Sequence, residues 1–193
     1  DFMADGKIKI AFVCKFLSSV WFAPKSEAMA ERAKELGIEF IPIDANNKED
    51  QCLQGVDNAI AQDVDGIILT AVNQSLVAPI AQKCHEAGVA LITTDDPGVD
   101  ENGNPIPHVG LDDYALGAAA ARKMIEAAAE RGFFDDPSKL TIAVMDVPRV
   151  EGFHKRLLGG MDVIKEKYPD LPESTFVVAD TKDGLVDNVL AQF

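Results

Sequence analysis

Two short stretches concentrate the side chains that could do chemistry. The first runs from Lys15 to Phe22 and holds Ser18, Ser19, the single tryptophan Trp21, and Phe22 beside it. The second is the adjacent carboxylate pair Asp95-Asp96, followed by Pro-Gly. A later group contains Arg149, Glu151, His154 and Arg156. Carboxylates accept hydrogen bonds from hydroxyl groups, and lysine or arginine donates to hydroxyl and ring oxygens. An aromatic face matches the apolar C–H face of a pyranose, which a polar wall cannot do. The combination suits a neutral, hydroxyl-rich ligand, with Trp21 and Phe22 as a stacking wall. Each member also has a plain alternative. A tryptophan at a helix start often fills a packing gap. An Asp-Asp pair before Pro-Gly often builds a turn. A loop lysine or a helix arginine is often simply solvated. What favours a site is joint placement at strand ends, and that depends on the elements around them.

The segment "KIKIAFVCK" predicts a buried strand over about residues 7–14. Pro24 suits the first turn of a helix, which carries Met29, Ala33 and Leu36 on one face and stops at Gly37. "EFIPID" predicts a second strand, and Cys52, Val56 and Ile60 mark a second amphipathic helix. "DGIILT" reads as a third strand, the short apolar run of a parallel sheet buried on both faces. Val77, Ile80, Cys84 and Ala87 define a third helix ending at Gly88, and "VALITTDD" a fourth strand. Residues 95–108 are rich in Gly, Pro, Asp and Asn and predict a long loop, with "HVGL" a short strand after it. Asp112 or Asp113 caps a long helix, which "FFDDPSKL" breaks. "TIAVMDV" and "TFVVAD" predict two more strands around a helix over about 152–168, and "LVDNVLAQF" reads as a final helix.

Strands and helices alternate at short intervals, the pattern of an α/β fold with a doubly wound parallel sheet. Ligands of such sheets bind outside the carboxyl ends of the strands. Lys15 to Phe22, Thr70, Asn73, Asp95 and Asp96 all fall at such ends within residues 1–110. Residues 111–193 hold only two strands, a poor independent core. They read as an incomplete second α/β domain.

Composition removes several classes. The net charge of −14 and the absence of a Lys/Arg-rich run argue against a nucleic-acid partner. The apolar stretches are too short to span a bilayer. No secretory leader is legible, so the sequence reads as a cytoplasmic chain or as a mature or engineered form. Cys14, Cys52 and Cys84 show no Cys-x-x-Cys or zinc spacing and are expected as buried free thiols, with no metal and no cofactor. The sequence has no G-x-G-x-x-G, no G-x-x-x-x-G-K-[ST] and no G-x-S-x-G.

At "KIKIAFVCKFLSSVWF", "ELGIEFIPIDAN", "VDGIILTAV", "AQKCHEAGVALITTDDPGVDENGNP" and "GFHKRLLGGMDVIKE" the chain resembles the type I periplasmic sugar-binding proteins of ABC importers, the arabinose binders most of all. The resemblance implies a periplasmic-binding-protein type I fold. It implies two lobes that close on a monosaccharide, an arabinose- or galactose-like aldose, and a membrane permease as partner. Lys15 matches a sugar-contacting lysine, Trp21 and Phe22 an aromatic pair, Asp95 and Asp96 an acidic pair, and Arg156 an arginine of the second lobe. Leu111 falls near an apolar contact at the first crossover. Ser19 stands where the arabinose binders have an acidic contact, and Gly152 where a hydroxyl residue is expected. The chain would correspond to roughly the first two-thirds of such a protein.

Three readings stay open on the sequence. The first is an extracytoplasmic sugar-binding subunit, periplasmic or extracellular, a lipoprotein-anchored form included, and not an enzyme. The second is the effector-binding core of a sugar-responsive transcription regulator. The third is a small sugar-acting α/β enzyme with Asp95 or Asp96 as base. An incomplete second lobe would also expose apolar faces, and a homodimer or swapped assembly is expected from that.

Overall fold

In a computed structural model, which describes residues 7–148, 150–181 and 190, the apolar run after Lys7 forms β1 (Lys9–Cys14). Its last four residues are fully buried because both faces of the strand are covered. Ala11 and Val13 face one cluster, with Val56 and Ile80 among its members. Phe12 and Cys14 face the other, with Phe22 and Met29. The alternation of a strand thus serves two helix layers at once. One layer is α1 (Phe22–Leu36); the other is α2 (Glu49–Ala61) with α3 (Val77–Ala87).

β1 pairs in parallel with β2 (Glu39–Asp44) on one side and β3 (Gly66–Thr70) on the other. β4 (Ala90–Thr94) and the short β5 (His108–Val109) complete the order β2-β1-β3-β4-β5, all parallel. This is a doubly wound order whose connections reverse direction at β1 and β3. The register sets Cys14 opposite both Asp44 and Thr70, and Leu69 opposite Thr93. The carboxyl ends of β1 to β4 therefore lie nearly level. Gly37 and Gly88, both at φ 71°, end α1 and α3 in the left-handed conformation that glycine adopts at little cost.

Two expected core positions lie outside the core. Leu36 is 55% exposed and Ala87 is also exposed. Each sits in the last turn of its helix. In α3 the packed face is made by Val77, Ile80, Ala81 and Cys84 instead. All three cysteines are free and buried.

The chain divides into two compact units, Asp1–Gly110 and Leu111–Phe193. In the second, Asp112 accepts from the Ala115 N–H at 2.9 Å and caps α4 (Asp113–Ala129). A 3-10 turn at Pro137–Lys139 leads into β6 (Ile142–Asp146), then α5 (Glu151–Lys167) and β7 (Phe176–Asp180), parallel to β6. Of the final helix expected over 185–193, only Leu190 is described, in helical conformation.

Helices α4 and α5 meet through small residues. A Cβ on Gly159 would run into the Tyr114 carbonyl and come within 3.2 Å of the Ala118 nitrogen, and one on Gly117 into the Arg156 carbonyl. Gly160 differs, because its Cβ would find the Gly117 carbonyl at 3.5 Å and Ala121 Cβ at 3.7 Å, ordinary contacts. Alanine gains about 1 kcal/mol of helix propensity over glycine. At Gly159 the clash is with backbone of the facing helix, which cannot rotate away, and overpacking of about 1–3 kcal/mol dominates. Gly159→Ala is therefore expected to lower the urea midpoint followed by circular dichroism, while Gly160→Ala leaves it unchanged or raises it. Equal effects would contradict this account of the helix contact.

Candidate functional site

The level strand ends of the first unit bring Lys15, Trp21, Phe22, Asp95 and Asp96 together. Lys15 follows β1 directly, and its Nζ pairs with Asp96 Oδ2. Asp96 is 8% exposed, and Lys15 is the cation that faces it. The same ammonium lies 5.7 Å from the centroid of the Phe22 ring. Phe22 itself is only 8% exposed and packs with Phe12 and Cys14. This corrects the expected two-ring wall. Phe22 opens α1 and points inward to the sheet, where it forms a floor beneath Lys15. Trp21, one position earlier, stays 55% exposed.

Asp95 occupies a conformation rare for a residue with a side chain. Its φ is 65°, and the Asp96 N–H donates to the Thr94 carbonyl at 2.9 Å across it, closing a three-residue turn. Such turns are uncommon, and aspartate tolerates the left-handed region better than most residues. The turn is held from several sides. The Trp21 indole N–H donates to Asp95 Oδ1 at 2.9 Å. Lys25 Nζ pairs with Asp95 Oδ2 and also donates to Thr94 Oγ1. The Thr94 and Thr70 hydroxyls donate to Oδ2 at 3.3 and 3.5 Å. Burial pushes the Asp95 pKa up, but the Lys25 and Trp21 hydrogen bonds and the Lys25 charge outweigh it and hold the carboxyl below its usual range. The two anions of the pair are thus each matched by one lysine.

The remaining sequence candidates have other engagements. Ser19 Oγ accepts from the Phe22 N–H at 3.1 Å, and its carbonyl accepts from Ala23, so it closes the turn that leads into α1. Leu111 is 53% exposed. Arg156 donates from Nε to Asp113 Oδ1 at 2.7 Å, and its guanidinium lies 4.9 Å from the Phe153 ring centroid. Asp113 also accounts for Gly152, where an added Cβ would meet Asp113 Oδ2 at 2.6 Å. Arg149 lies outside the described residues.

Two contributors, Lys25 and Asp44, escaped the sequence reading. Lys25 follows Trp21 by one helical turn, and that i,i+4 spacing was the available signal. Asp44, at the end of β2, accepts from the Leu17 and Asn46 N–H groups at 3.1 and 2.8 Å and shapes the loop after β1. His154 Nδ1 lies 3.0 Å from Asp146 Oδ2 at the end of β6. The second unit also has an apolar pocket of about 430 Å³ between α4, β6 and α5, with Met124, Met145, Phe153 and Leu157 in its lining. Arg156 and Thr181 are its polar lining residues, so it lacks the converging polar groups found at the strand ends. Among the described residues no cluster of His, Cys, Asp and Glu is arranged to hold a metal ion. Burial pushes the Cys14 thiol up to about 11, which leaves it protonated and unreactive beside the site.

The lowered Asp95 pKa has a defined consequence for stability. A carboxyl whose folded pKa lies below its unfolded value, about 3.9, contributes stability above that value. The contribution is lost as pH falls through the folded pKa. Asp95→Asn keeps a side chain that accepts φ > 0 but removes the charge. The urea midpoint of the parent should exceed that of Asp95→Asn at neutral pH, and the gap should narrow below about pH 4. A gap independent of pH would contradict the charge-based account.

Comparison with known proteins places the fold and family of the chain. The periplasmic binding protein domain matches residues 10–191. An ABC transporter L-arabinose-binding periplasmic protein of Azospirillum brasilense is 25% identical over 180 residues, which cover 89% of this chain and 53% of that protein. The L-arabinose-binding periplasmic protein of Escherichia coli K12 is 22% identical over 92% of this chain and 53% of its own length. The chain spans about half the length of these curated relatives. Among solved structures, an ABC transporter periplasmic solute binding protein from Actinobacillus succinogenes, with bound D-allose, superposes with a TM-score of 0.72 at 26% identity, over 90% of this chain and 60% of that one. An arabinose binding protein from Geobacillus stearothermophilus gives 0.74 at 18% identity, over 92% and 57%. The fold is that of the type I periplasmic binding proteins. No helix among the described residues is long and apolar enough to cross a membrane. A parallel sheet with its polar residues gathered at the strand ends, and a family match running through nearly all of both units, lead to one assignment: the chain belongs to the periplasmic binding protein domain family.

Proposed function

We propose that this chain binds a neutral monosaccharide, an arabinose- or galactose-like aldose, as the solute-binding component of an ABC importer, and that it does no catalysis. The observation that carries the reading is the charge-matched set at the strand ends of the first unit. Lys15 and Asp96 offer a donor and an acceptor side by side over the Phe22 ring. The exposed Trp21 stands in the same unit, its indole edge tied to Asp95. Hydroxyl groups can use both members of such a pair, and a sugar's C–H face can use the ring. Ser19 is the further contact proposed in this unit, Asp95 supports it by holding the Trp21 indole, and Leu111 and Arg156 are the contacts proposed for the second unit. The relatives that support the reading are arabinose-binding periplasmic proteins and a D-allose complex. The proposal extends to a membrane permease as partner and to a periplasmic or extracellular location. It includes self-association through the second unit, where Met145, Val177 and Val178 are each about half exposed.

Trp21 is the only tryptophan, so its fluorescence reads this site alone. Titration with a panel of pentoses and hexoses should change the emission saturably for at least one aldose. A charge-assisted hydrogen bond contributes about 1.5–3 kcal/mol, so Asp96→Ala should weaken that aldose about tenfold or more without a matching loss of folding. Unchanged affinity in Asp96→Ala, or calorimetric binding with silent Trp21 emission, would remove these residues from the sugar site. For self-association, light scattering should return a dimer mass, and a monomer mass at every concentration would reject that part.

A further inference from the structure

The two carboxylates of the acidic pair are not used alike. Among the described residues, the hydrogen bonds to the Asp96 side chain engage one oxygen, Oδ2, through Lys15. Asp95 is engaged on both. Its Oδ1 accepts from the Trp21 indole, and its Oδ2 faces Lys25, Thr94 and Thr70. A carboxylate has about four acceptor positions, so these four donors leave Asp95 little capacity for a ligand. Trp21 and Lys25 lie one turn apart at the start of α1 and reach opposite oxygens of the same group. The carboxylate they grip sits on a turn at φ 65°, a conformation that aspartate tolerates better than most residues. Lys25 is itself mostly covered, with 26% of its side chain exposed, and it is fixed a second time by Thr94 Oγ1. It is therefore not a solvated helix lysine.

We propose that Lys25 is a positioning residue: it fixes the Asp95 carboxylate so that the carboxylate in turn fixes the edge of the Trp21 indole, leaving Asp96 and Lys15 as the members of the charged set that meet ligand. Two consequences separate this role from plain charge balance. Without Lys25 the Asp95 carboxylate loses its strongest donor, is free to rotate toward water, and releases the indole N–H. With arginine in place of Lys25, the fork of donors can still hold the carboxylate. Lys25 makes no ligand contact in this scheme, so its effect on binding arises wholly from the order it imposes on Trp21.

The test reads the indole N–H directly by NMR hydrogen exchange in ligand-free protein. In the unmodified chain the Trp21 Nε1 proton should exchange more slowly than that of a free indole. Lys25→Met should speed its exchange by about tenfold or more, as loss of a charge-assisted contact implies, and Lys25→Arg should restore most of the protection. Exchange at the free-indole rate in the unmodified chain would overturn the clamp without any variant having to fold. Unchanged protection in Lys25→Met would overturn the role of Lys25. The ligand arm rests on the sugar-binding reading: aldose affinity by calorimetry should fall about tenfold in Lys25→Met and recover in Lys25→Arg. If no aldose binds the unmodified protein but the exchange results hold, the sugar reading fails and the clamp stands. If aldose binds Lys25→Met at parental affinity although the indole is released, the positioning role is overturned.

Discussion

Two adjacent carboxylates at the end of a buried parallel strand are the constraint that the first unit is built around. Asp95 and Asp96 follow β4 directly, and both are largely shielded from water. A shielded anion needs a cation and hydrogen bonds, because losing one partner of such a pair costs more than the pair contributes. The cations come from opposite ends of one connection. Lys15 leaves the end of β1, and Lys25 comes from the second turn of α1. The loop between them carries Phe22 inward and Trp21 outward. The charge requirement therefore fixes where β1 ends, where α1 begins, and which aromatic ring faces solvent.

The sheet makes that arrangement reachable. Level parallel strands put the turns after β1, β3 and β4 on one rim. Asp44 then pins the loop after β1 by accepting the Leu17 N–H, and fixes its own turn by accepting that of Asn46. The rim is preorganised by protein–protein bonds, which lowers the ordering cost that binding would otherwise bear. This also explains why the only indole lies outside the core. Its apolar face is left open while its N–H, which would be costly to leave unpaired, is satisfied by Asp95.

Much of this was legible in the sequence, for a physical reason. Buried parallel strands must be short apolar runs, and "EFIPID" coincides with β2 residue for residue. Glycine stops are equally direct, because Gly37 and Gly88 adopt a conformation that other residues avoid. The direction of individual side chains was less legible. Periodicity does not tell which of two neighbouring aromatics at a helix start turns inward, so Phe22 was read as wall and not as floor. Lys25 looked like any helix lysine, since its partner lies 70 positions away in sequence. Helix ends mislead in the same way, as Leu36 continues the apolar period past the point where its helix is covered. Gly152 is explained only by a carboxylate from another helix, Asp113.

The central claim is that a sugar ring lies against Trp21 with its hydroxyls on Lys15 and Asp96. A crystal structure of the protein grown with the tightest-binding aldose of the panel tests it most directly. The account predicts sugar density over the open face of Trp21, with at least one hydroxyl within hydrogen-bond distance of both the Asp96 carboxylate and the Lys15 ammonium. A sugar bound elsewhere, with Lys15 and Asp96 still paired only to each other and the Trp21 face bare, would contradict it.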